Sequence, residues 1–90
     1  METTTDVLIG QVVKSKAGRD KDKLFVVLEI VDESYVMLVD GRLRKLDNPK
    51  KKKVKHLGLY SSVISDLSEK KDNNEVSDAY IREVLIPFEK

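Results

Sequence analysis

Leu24 to Val31 is the segment that most narrows the fold. It reads Leu-Phe-Val-Val-Leu-Glu-Ile-Val, and Glu29 is its only charge. In an extended chain Leu24, Val26, Leu28 and Ile30 face one way, and Phe25, Val27 and Val31 face the other. A strand that is apolar on both faces must be covered on both. That requirement places it in the middle of a barrel or sandwich. The chain has 90 residues, enough for one domain with a thin core.

The neighbouring segments supply the other layers. Val7 to Val13 reads as a first strand, and Tyr35 to Val39 as a third. Asp32-Glu33 makes the turn between the second and third. Asp40-Gly41 is the dipeptide of a type I′ hairpin turn, so Arg42 to Leu46 is expected as strand four. Asp47-Asn48-Pro49 turns the chain again, and Lys53 to Leu57 is expected as strand five. Five short strands joined by polar turns suggest a small closed barrel over residues 7–58, because closure removes exposed strand edges. Residues 1–6 are polar and expected to be disordered. Residues 59–90 form a tail with one or two short helices. Val63, Ile64 and Leu67 carry helical spacing within Tyr60 to Lys71. Ser77 is placed to cap a helix from Asp78 to about Ile86, whose apolar stripe is Tyr80, Ile81, Val84 and Leu85. Pro87 ends it.

The net charge of +1 hides a segregated distribution. Residues 11–55 carry thirteen Lys and Arg against seven Asp and Glu, and residues 56–90 carry four against seven. The densest cationic strip is Arg42, Arg44, Lys45, Lys50, Lys51, Lys52, Lys53 and Lys55, opposed only by Asp47. A ridge of this kind asks for a polyanion, and nucleic acid is the commonest one in a cell. Lysines on an edge strand also prevent edge-to-edge pairing and need no ligand for that. Pro49 to Lys55 further looks like a nuclear localisation signal, a pattern that often matches by chance. The loop Lys14 to Lys23 adds Lys14, Lys16 and Arg19 as candidate contacts, with Asp20 and Asp22 interspersed as solvated carboxylates. Arginine brings a planar fork suited to phosphate and guanine. Tyr35 offers a ring for stacking on an unpaired base, although a strand tyrosine also packs with its hydroxyl at the rim. Phe25 belongs to the core, and Tyr60 and Tyr80 help dock the tail.

Other chemistry finds no support. There is no cysteine, so disulfides and thiolate metal sites are excluded, which fits a cytoplasmic protein. The lone His56 has no neighbours at metal-ligand spacing. No Gly-rich phosphate loop, nucleophile elbow or apolar pair of acids points to an enzyme. Met1 to Asp6, polar and acidic, does not read as a secretory signal, and no apolar run approaches the length expected of a membrane span. No cofactor is implied.

The stretch Gly10-Gln11-Val12-Val13-Lys14-Ser15-Lys16-Ala17-Gly18-Arg19-Asp20, followed by Leu24-Phe25-Val26-Val27, resembles a KOW motif. More narrowly, it is similar to short bacterial KOW-domain RNA-binding proteins that resemble an archaeal and eukaryotic large-subunit ribosomal protein. The similarity runs through Val39-Asp40-Gly41, Arg44-Lys45-Leu46 and Pro49-Lys50-Lys51-Lys52 to Lys55-His56-Leu57, covering roughly residues 8–57. Ser77 to Arg82 resembles the small helix that often ends these proteins. The resemblance implies a mainly β protein with an SH3-like five-stranded barrel and a short C-terminal helical tail. It also implies RNA binding linked to translation, with ribosomal RNA and ribosomal proteins as partners. In one departure, Asp22 stands where the family usually has a glycine. Asp tolerates a left-handed conformation, so the turn is expected to be kept.

The expectation from the residues is therefore a non-enzymatic module that binds structured RNA through one continuous cationic face. The other open reading is an adaptor barrel that binds protein in a transcription or translation complex.

Overall fold

A computed structural model describes residues 3–89. The protein is mainly β. Five strands, β1 (Gln11–Ser15), β2 (Leu24–Ile30), β3 (Tyr35–Val39), β4 (Lys50–Lys53) and β5 (Leu57–Val63), form one antiparallel sheet in the order β4-β3-β2-β1-β5. Two short helices follow, α1 (Leu67–Asp72) and α2 (Asp78–Leu85). Among the described residues, no helix is long and apolar enough to cross a membrane.

β2 lies at the centre of the sheet, as its two apolar faces require. Phe25 and Val27 enter one buried cluster with Val13, Val36, Leu38, Val54 and Leu57. Val26 and Leu28 enter a second with Val12, Val39, Ile64, Leu67, Ile81 and Leu85. The first cluster draws on both ends of the sheet. Val54 follows edge strand β4, and Leu57 opens edge strand β5. The second is covered by the helices, so the tail is the outer layer of the core rather than an appendage. Nine-tenths or more of each side chain in these clusters is removed from water, which makes burial the main stabilising term.

Helix α2 forms where its signals lie. The Ser77 hydroxyl accepts from the Tyr80 N–H at 3.1 Å, Ile81 and Leu85 are buried, and Tyr80 and Val84 pack beside them. Eight residues are too few for a stable isolated helix, so docking holds it.

Several boundaries differ from the expectation. Arg42 to Leu46 is not a strand. The ladder partners of β3 are the lysines, with Tyr35 opposite Lys53 and Leu38 opposite Lys50. Residues 40–49 form a loop instead. The Asp40 carboxylate accepts from the N–H groups of Arg42 (2.8 Å) and Arg44 (2.9 Å) and folds that loop on itself. Lys53 to Leu57 divides into the end of β4, a 3-10 turn (Val54–His56) and the start of β5. The sheet continues to Val63, beyond the expected limit at residue 58. Helix within Tyr60 to Lys71 is confined to α1, because Leu59 and Val63 pair with β1. Of the end expected to be disordered, Thr4–Asp6 form a 3-10 turn, and Met1 and Glu2 lie outside the described residues. The Thr4 N–H donates to the Glu33 carbonyl at 2.8 Å and its hydroxyl to the Asp32 carbonyl at 2.8 Å. Asp22 does keep the left-handed turn, with φ of 72°.

Candidate nucleic-acid interface

Strand alternation divides the lysine run in two. Lys50 and Lys52 turn toward the β1–β2 loop, where Asp20 waits. Lys52 Nζ lies 2.7 Å from Asp20 Oδ1 and also donates to the Ala17 carbonyl at 2.9 Å. Lys50 Nζ lies 2.8 Å from Asp20 Oδ2. The Ser15 hydroxyl donates to Asp20 Oδ1 at 2.9 Å. Asp20 is 7% exposed and Lys52 9%. Burial alone would raise the Asp20 pKa, but hydrogen bonds from Lys50, Lys52 and Ser15 outweigh it and hold the carboxyl far below the ordinary range. Lys52 is thus a buried structural cation, and Lys50 is half-neutralised. Neither is a free phosphate contact.

Lys51 and Lys53 point the other way and are exposed. Both ammonium groups approach the Tyr35 ring, at 4.7 and 5.8 Å from its centroid. The expected single cationic face is therefore not formed, because successive side chains of one strand leave opposite faces. Lys45 and Lys55 are exposed on separate turns. Lys16 is exposed and lies along Gly58, where an added Cβ would stand 3.0 Å from its Cε.

A different convergence takes its place. The loop after β3 carries Arg42, Leu43 and Arg44, and Leu43 is 73% exposed. It separates two adjoining clefts. The smaller, about 220 Å³, is lined by Arg19, Lys23, Arg44 and Lys50, with Asp20, Asp40, Phe25 and Leu43. The larger, about 550 Å³, is bordered by Lys14, Lys23 and Arg42 and by Asp22, Asp40 and Glu89, over Leu24, Leu85 and Phe88. Five of the expected contacts (Lys14, Arg19, Arg42, Arg44 and Lys50) thus meet here from four separate segments.

Helix α2 sets this loop in place. Arg82 Nη1 donates to the Gly41 carbonyl at 2.6 Å, and the Asp78 carboxylate accepts from the Leu46 N–H at 2.8 Å. Gly41 has φ of 77° and lies against the backbone of α2, so that a Cβ there would collide with the Asp78 carbonyl oxygen. Arg42 pairs with Glu89 at 3.7 Å, with both side chains exposed. That pair adds little stability.

The sequence reading missed Asp20, Lys23, Asp78, Arg82, Phe88 and Glu89 as parts of the site. Asp20 stands among loop charges and gives no local sign of burial. Its one long-range signal, lysines two apart in a strand, becomes legible only once β4 is known. No group of three or more His, Asp or Glu that could hold a metal gathers among the described residues.

No protein-family model matches the chain, and no curated protein matches it with significant similarity.

Proposed function

We propose that the protein is a non-enzymatic RNA-binding module of the KOW type. It acts on structured RNA in the setting of translation. The observation that carries this reading is the meeting of Lys14, Arg19, Lys23, Arg42 and Arg44 around the two clefts. Five cations from distant parts of the chain gather there beside four acids, with Lys50 taken up by one of them. Asp20 is already matched by lysines, and Asp40 is engaged with the N–H groups of its own loop. Two of the arginines project from a loop held by a helix, which suits bidentate contact with phosphates or guanine.

The strand order and the 3-10 turn between β4 and β5 support an SH3-like barrel for the sheet. The Val54 N–H donates to the Ser34 carbonyl at 2.8 Å, and residues from both edge strands share one core with the central strands. The left-handed Gly18 and Asp22 in the β1–β2 loop suit the turn of the resembled motif.

Phosphate neutralisation would drive affinity. With about four phosphates contacted, the logarithm of affinity falls against the logarithm of salt with a slope of about −3. Anisotropy titrations of a labelled structured RNA from low to moderate salt measure this slope. A flat response, or no binding at low salt, rejects the reading.

A further inference from the structure

The two clefts differ in chemistry, and the difference sorts the parts of a nucleotide. In the smaller cleft Asp20 is taken up by Lys50 and Lys52, and Arg19, Lys23 and Arg44 face only Asp40, so charge there is in surplus. Its volume of about 220 Å³ suits a group the size of a phosphate. In the larger cleft, Lys14, Lys23 and Arg42 are balanced by Asp22, Asp40 and Glu89. That balance makes it a poor place for a further anion. Its apolar lining of Leu24, Leu85 and Phe88, and its volume of about 550 Å³, instead suit a flat neutral group. Phe88 also stacks on Tyr60, with ring centroids 5.3 Å apart and planes 14° from parallel. A base beside Phe88 would lengthen an existing aromatic stack. Between the clefts stands Leu43, an exposed apolar side chain with an arginine on each side. Apolar side chains in this position serve as wedges that prop open base steps.

We infer that the larger cleft receives one unpaired base of the bound RNA, while the adjoining smaller cleft holds a phosphate beside it. Leu43 separates the base from its stacked neighbours. The preferred target is therefore a helix interrupted by a bulged or looped-out nucleotide, not an uninterrupted duplex. This inference rests on the RNA-binding reading above and adds the class of RNA and the place of its base.

The test uses two hairpin RNAs with the same stem, one carrying a single bulged 2-aminopurine and one without the bulge. The full chain and the variants Leu43→Ala, Phe88→Leu and Arg44→Ala are titrated against both. The bulged hairpin should bind on the order of tenfold more tightly, with a change in 2-aminopurine fluorescence on binding. Leu43→Ala, at a largely exposed side chain, and Phe88→Leu should lower the ratio of bulged-hairpin to plain-hairpin affinity toward one and reduce the fluorescence change. Arg44→Ala should weaken both RNAs. Equal binding of the two hairpins with unchanged fluorescence overturns the base pocket and leaves the RNA-binding reading standing. Failure to bind either hairpin at low salt overturns that reading and the pocket with it.

Discussion

Asp20→Asn tests the buried ion cluster that ties the β1–β2 loop to β4. The substitution keeps the shape of the side chain and removes its charge. Lys52, 9% exposed, then keeps only the Ala17 carbonyl and a neutral amide as partners. Removing one member of a buried pair strands the other, at about 3 kcal/mol or somewhat more. A domain of this size has roughly 5–13 kcal/mol in all. The loss therefore lowers Tm by about 12–24 °C. The pH dependence has a definite sign. The folded-state pKa of Asp20 is depressed relative to the unfolded chain, where a carboxyl titrates near ~4. Its contribution is thus complete above about pH 5 and is lost as pH falls below ~4. Urea unfolding followed by far-UV circular dichroism should show a large gap between native and Asn proteins at pH 7. The gap should shrink steadily on acidification. A difference under about 0.5 kcal/mol at pH 7, or one that stays constant into acid, would refute the cluster. The double variant Asp20→Asn with Lys52→Met should cost less than the sum of the singles, because it removes the stranded charge.

Further substitutions separate scaffold from interface. Gly41→Ala places a Cβ against the backbone of α2 at a positive φ, and thermal melts should show a loss of about 2 kcal/mol or more. Ser77→Ala removes the cap of α2 and should cost about 1 kcal/mol in urea unfolding, with hydrogen exchange rising in Asp78–Leu85 before the strands. Arg19→Ala combined with Arg44→Ala should weaken RNA binding about tenfold or more without changing Tm. Lys52→Ala should instead appear chiefly in the melt, because it leaves the buried Asp20 with only Lys50 and the Ser15 hydroxyl as partners.

The sequence was most legible where burial imposes a period. β2 and β3 stand out because apolar residues fill both faces of Leu24–Ile30 and run unbroken through Tyr35–Val39. The Ser77 cap and the Ile81–Leu85 stripe were equally plain. β4 was hidden, since four identical lysines carry no hydropathy period, and Asp40-Gly41 falsely announced a tight hairpin. That turn became a longer loop because α2 holds the Gly41 carbonyl through Arg82 and the Leu46 N–H through the Asp78 carboxylate, contacts between residues more than thirty positions apart. β5 was obscured by Gly58 and by the helical spacing of Val63, Ile64 and Leu67. At the site, composition announced that cations matter but not which ones. Alternation and Asp20 remove Lys50 and Lys52 from the free set. The tail, from which the sequence singled out only Tyr60 and Tyr80 as docking residues, supplies Arg82 to hold the arginine loop and Leu85, Phe88 and Glu89 to border the larger cleft.

Amide chemical-shift mapping of the isotope-labelled protein, titrated with a bulged hairpin RNA at low salt, addresses the binding surface itself. The account predicts that the largest changes fall on Arg19, Lys23, Leu43 and Arg44, with Phe88 following when the unpaired nucleotide is present. Changes confined to Tyr35 of β3 and to Lys51 and Lys53 on the opposite face of β4, or absent altogether, would contradict it.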